Sequence, residues 1–104
     1  MTLSIPTQSN NYGFNGPHLN ASSLPTRSGV YVITRKLVNG SYEIIDVGES
    51  HNISERIPSH DRMNQWNLAS NNVFNVWTFL ADQNQRMIIE RDIRITYNPI
   101  CGQR

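Results

Sequence analysis

The sequence predicts a small α+β fold, and three observations predict it. Two runs rich in β-branched and aromatic residues, Val30 to Leu37 and Tyr42 to Val47, flank Asn39-Gly40, a dipeptide that supplies the positive φ angles of a two-residue type I′ hairpin turn. Val73 to Leu80 alternates Phe74, Val76 and Thr78 against Val73, Asn75, Trp77 and Phe79, which is the period of a third strand. Arg86 to Tyr97 repeats Ile89, Ile93 and Tyr97 at helical spacing. Asn98-Pro99 ends that helix, because the residue before a proline is driven out of the α region.

The 104 residues suffice for one core and are expected to hold no second domain. Hydrophobic residues at 38% and charged residues at 16% are both low, the balance being Asn, Ser and Gln, so the composition is polar and globular rather than disordered. A formal net charge of +1 provides no field that would by itself recruit nucleic acid or an acidic membrane, so any phosphate binding must come from a local cluster. Eight of the nine cations are arginine, whose planar fork grips phosphate bidentately. The single cysteine, Cys101, excludes an internal disulfide and has no metal-site spacing. With neither a membrane-spanning run nor a secretory layout, a cytoplasmic protein is expected.

Residues 1–27 carry Asn10, Asn11, Asn15 and Asn20 among Pro6, Gly13, Gly16, Pro17 and Pro25. They read as an N-terminal extended arm, with Tyr12, Phe14, Leu19 and Leu24 available to pack on a domain spanning 28–104. In the hairpin, a two-residue loop at Asn39-Gly40 sets Tyr31 opposite Gly48 and Ile33 opposite Asp46. Tyr31, Ile33, Arg35, Tyr42, Ile44 and Asp46 then share one face, and Val30, Val32, Ile45 and Val47 the other. Tyr31 and Asp46 become diagonal neighbours roughly 7–8 Å apart; an odd-length loop would break this pairing.

Asn52 and Glu55 have capping-box spacing, which starts a helix near Ile53. Pro58 must kink or restart it. Trp66, in the polar stretch that follows, reads as a core anchor rather than a stacking platform. Arg86, Glu90 and Arg94 lie four apart on the last helix, the spacing of an ion-pair ladder.

Taken in order, Gly29-Val30-Tyr31 on one strand, Asp46-Val47-Gly48 on the next, Arg56 and His60 just beyond, Glu90 on a later helix and Asn98-Pro99 after it resemble the GIY-YIG nuclease domain over roughly residues 28–102. The resemblance implies a three-stranded, largely antiparallel sheet flanked by helices. It also implies a metal-dependent endonuclease that hydrolyses DNA phosphodiester bonds with low sequence specificity, RNA being a further candidate substrate, and that uses a divalent metal, Mg2+ or Mn2+. A metal and an arginine would supply the Lewis acid and positive charge that the developing phosphorane needs. One carboxylate suffices where waters and the substrate phosphate complete the shell.

By that resemblance Tyr31 is general base or water-orienting group, Arg56 phosphate clamp, His60 proton relay or phosphate donor, and Glu90 metal ligand. Gly48, Glu49, Arg35, Arg62 and Asn98 are expected to contribute to binding, and the catalytic side chains to line one concave surface. Asp46 departs from the family pattern, which has a tyrosine there. It is either a base or second metal ligand, paired with Arg35, Arg56 or the metal, or a charge that repels phosphate. The second case makes the chain a catalytically inactive module that binds nucleic acid or a protein partner.

Overall fold

The computed structural model describes residues 1–102. The Asn39-Gly40 turn forms, but as a three-residue loop: the Gly40 N–H donates to Leu37 O at 2.9 Å, the Leu37 N–H to Ser41 O at 2.7 Å, and Gly40 takes φ 89°. This is a type I turn closed by a left-handed glycine. It joins β3 (Gly29–Lys36) to β4 (Tyr42–Ser50). The odd loop puts Lys36 opposite Tyr42 and Thr34 opposite Ile44, and a bulge beyond Thr34 then inserts one extra β4 residue, so that Ile33 faces Asp46 and Tyr31 faces Gly48.

The expected pairing therefore holds at one end of the hairpin and is corrected at the other. Tyr42 and Ile44 pack with Val30, Val32 and Val47, while Ile45 packs with Tyr31 and Ile33. A one-residue slip exchanges the faces of a strand, and the bulge confines that exchange to the turn half.

The sheet has five strands, not the three expected. β1 (Thr2–Pro6) and β2 (Asn11–Asn15) form a second hairpin from the segment expected to be an arm, and β5 is Asn75–Leu80. The order is β1-β2-β5-β3-β4 and every pairing is antiparallel, β2 joining β5 where Asn15 faces Thr78. Leu3 and Ile5 in β1, and Tyr12 and Phe14 in β2, point to the core, with Ile5 and Phe14 buried. Two apolar residues per strand are too few to register as a period, and the intervening asparagines and glycine occupy the other face.

Helix α1 (Ile53–Arg56) stops short of Pro58, α2 runs Met63–Ser70, and α3 runs Gln83–Tyr97 behind an Asp82 cap whose carboxylate accepts the Gln85 N–H at 2.9 Å. The capping box at Asn52 does not form. The Asn52 side chain instead accepts the Ser54 hydroxyl at 2.8 Å.

One core, with Tyr31, Ile33, Ile45, Ile53 and a fully buried Trp66, lies under α1 and α2; the other, with Val30, Val32, Phe14, Trp77, Ile89 and Ile93, lies under α3. At the outer edge of β4 the two sides meet. Among the described residues no helix is long and apolar enough to cross a membrane.

Candidate functional site

A cleft of about 770 Å³ opens along that edge, between the Arg56 turn and α3. It brings together Tyr31, Gly48, Glu49, Arg56, Arg62, Glu90 and Asn98 among the residues expected from the sequence, with Met87, Arg91, Arg94 and Ile95 from α3 besides. Gly48 is required by contact. A Cβ there would lie 2.2 Å from the Tyr31 hydroxyl oxygen and 2.3 Å from Cζ, so only glycine lets the Tyr31 ring lie across β4.

His60 does not line the cleft; it lies behind Tyr31, buried, with Nε2 2.7 Å from the Tyr31 oxygen. Its Nδ1 accepts the Arg62 backbone N–H at 3.0 Å, so the single proton of the neutral ring falls on Nε2 and is donated to Tyr31. Burial, with Arg56 and Arg62 close by, pushes the His60 pKa down to about 4, and the ring is neutral at pH 7. Asp61 Oδ1 also lies 3.3 Å from Nδ1, but that carboxylate is exposed and held by Arg56 at 2.8 Å.

Burial pushes Tyr31 up to about 12 against the opposing effect of Arg56 and Arg62, so its hydroxyl stays protonated. The oxygen is occupied as an acceptor. Its proton has no acceptor among the described residues and remains for whatever enters the cleft.

Asp46 is fully buried beneath the cleft rather than on its surface. Oδ2 accepts Arg62 Nε–H and Trp66 Nε1–H, each at 2.7 Å, and Oδ1 accepts the Val47 N–H and Arg94 Nη2–H, each at 2.8 Å. Four donors saturate a buried carboxylate, as its desolvation demands. Its cations are thus Arg62 and Arg94, not Arg35, Arg56 or a metal. Arg35 lies away from the cleft, paired with Glu43 and donating to Ala69 O at 2.7 Å.

Arg94 commits all five N–H groups to protein: Glu90, Cys101 O, Gly102 O, Asp46 and Val47 O. It braces the outer edge of β4 and was legible in sequence only as a partner of Glu90. Asn98 closes α3 in the left-handed conformation at φ 46°, its N–H on Arg94 O at 2.9 Å. Glu49 pairs with Arg86 at 3.2 Å. Arg91, which no motif pointed to, reaches the cleft with no hydrogen bond or ion pair among the described residues.

These contacts correct the expectation of a metal-dependent endonuclease. Among the described residues no group of three or more His, Cys, Asp or Glu could hold a metal ion. Glu90, the expected ligand, lies 3.0 Å from Arg94 Nε, in a cleft where four arginines face two glutamates. A divalent cation would have to enter a positive field and displace a guanidinium from either glutamate, since Glu90 is held by Arg94 at 3.0 Å and Glu49 by Arg86 at 3.2 Å. Neither a magnesium or manganese cofactor nor metal-dependent phosphodiester hydrolysis fits these residues. Comparisons of the chain with protein-family models, with curated proteins and with solved structures find no match.

Proposed function

We propose that this chain is a non-catalytic module, on a fold resembling the GIY-YIG domain, that binds the phosphate backbone of nucleic acid, DNA or RNA, through the arginine-lined cleft, in the cytoplasm. The observation that carries this reading is the chemistry of the groups that converge there. Among the described residues Arg56, Arg62 and Arg91 each keep N–H groups that no protein acceptor takes, and the Tyr31 hydroxyl adds a proton from the floor. All four are donors and three are charged, so the complementary ligand is anionic and rich in acceptors. A phosphodiester is such a ligand, and arginine meets it with two parallel bonds. Because the chain as a whole carries only +1, affinity depends on this local cluster and is sensitive to salt.

Fluorescence anisotropy of labelled DNA and RNA oligonucleotides in EDTA tests the reading. Three available arginines predict a slope of log K against log salt of roughly −2 to −3. Arg91→Gln and Arg56→Gln should each reduce that slope by about 1 and weaken binding to all sequences alike. No saturable binding at low salt, an unchanged affinity in the double variant, or cleavage of the oligonucleotide in a parallel incubation with Mg2+ or Mn2+ in place of EDTA would each refute it.

A further inference from the structure

The geometry points to a single strand, with its bases unstacked, as the occupant of the cleft in preference to a duplex; this rests on the nucleic-acid reading above. Two independent observations lead there. The first is width. A volume of about 770 Å³ is that of a small-molecule site, and its floor is the hydroxyl of a tyrosine only 2% exposed. A few nucleotides of one strand can enter such a space and bring a phosphate oxygen to Tyr31. A duplex, whose convex backbone carries its phosphates on the outside, meets the rim alone.

The second is the character of the α3 wall. Met87, Arg91 and Ile95 follow one another at intervals of four residues, about 6 Å along a helix axis, and all three line the cleft. Met87 is 54% and Ile95 74% exposed. The wall therefore reads apolar, basic, apolar. A single strand alternates in the same manner, since each nucleotide offers one charge and one base whose flat face is free to cover apolar surface. A duplex hides those faces in its stack and presents backbone and base edges, which would leave Met87 and Ile95 wet or pressed against phosphate. Charge decides which partner takes the apolar wall: in the cleft Arg56, Arg62, Arg91 and Arg94 outnumber Glu49 and Glu90, so the occupant carries anions along its length. Base contact here is aliphatic, because the described residues that line the cleft include no exposed aromatic ring, so the preference is weaker than an aromatic platform would provide.

The test compares four probes on the full chain at low salt in EDTA: a thymidine 12-mer, a hairpin duplex with the same number of phosphates, an abasic strand of equal length, and a poly-glutamate peptide. The thymidine strand should bind about tenfold more tightly than the duplex. The Met87→Gln/Ile95→Gln variant, with unchanged circular dichroism, should lose most of that advantage while binding the abasic strand as the parent does. Equal or tighter binding of the duplex, or of the abasic strand by the parent, overturns the inference and leaves the nucleic-acid reading standing. Tighter binding of the peptide assigns the cleft to an acidic protein partner and overturns it too. Failure of all three nucleic-acid probes removes the nucleic-acid reading itself.

Discussion

Asp46→Asn exchanges one carboxylate oxygen for an NH2 group and leaves the size of the side chain unchanged. In either orientation of the amide, two of the four donors that now point at Asp46 would meet an NH2: Arg62 Nε and Trp66 Nε1, or the Val47 N–H and Arg94 Nη2. Each arrangement removes two hydrogen bonds to a charged acceptor, each worth about 1.5–3 kcal/mol. It also leaves two arginines, one 24% and the other 17% exposed in their side chains, without the buried charge that balanced them. Breaking a buried ion pair from one side costs about 3–5 kcal/mol.

That loss is a large share of the roughly 5–15 kcal/mol typical of a domain, and it corresponds to a fall in Tm of roughly 15 °C or more at this chain length. Urea unfolding followed by tryptophan fluorescence measures it directly, since Trp66 donates to the altered side chain. A loss below about 1 kcal/mol, the value of a surface ion pair, would show that water reaches the carboxylate and that Asp46 does not organise Arg62 and Arg94.

Gly48→Ala places a methyl 2.2 Å from the Tyr31 oxygen and should cost about 1–3 kcal/mol by overpacking; the same change in a Tyr31→Ala background should cost little, and equal losses in the two backgrounds would mean that the clash lies elsewhere. Stability should also depend on pH through His60. Its folded pKa of about 4 lies below the ordinary 6.5, so the unfolded chain takes the proton first as pH falls. The contribution is complete above about pH 6.5 and disappears as pH falls toward 4, a loss of about 2–3 kcal/mol. His60→Gln should flatten the urea midpoint over that window; a parent whose midpoint does not change between pH 7 and 4 would contradict the buried neutral imidazole.

What the sequence determined by itself is what adjacent residues decide together. The two runs flanking Asn39-Gly40 are long enough for β-branched composition to specify strands, and the four-residue repeats up to Tyr97 are long enough to specify α3. Asn98-Pro99 stops α3 for a reason internal to the chain. The α+β class followed from these elements, whereas Tyr31 and Gly48 became cross-strand partners only because the bulge offsets the odd-length loop.

The tertiary structure decided the rest. β1 and β2 exist because Ile5 and Phe14 find a core made by β5 and α3; alone, two apolar residues per strand cannot repay the entropy of ordering a hairpin. The bulge beyond Thr34 reassigned Ile44 and Ile45 to opposite cores, a choice that packing makes. The charge pattern of the cleft is likewise spatial. Periodicity paired Arg94 with Glu90 and could not join it to Asp46, which lies 48 residues earlier in the chain. Glu90 read as a metal ligand until the fold surrounded it with guanidinium groups. Ion pairing is set by which long side chains reach one another after the backbone has closed, and burial then fixes how much each pairing is worth, so neither is available to a reading made along one dimension.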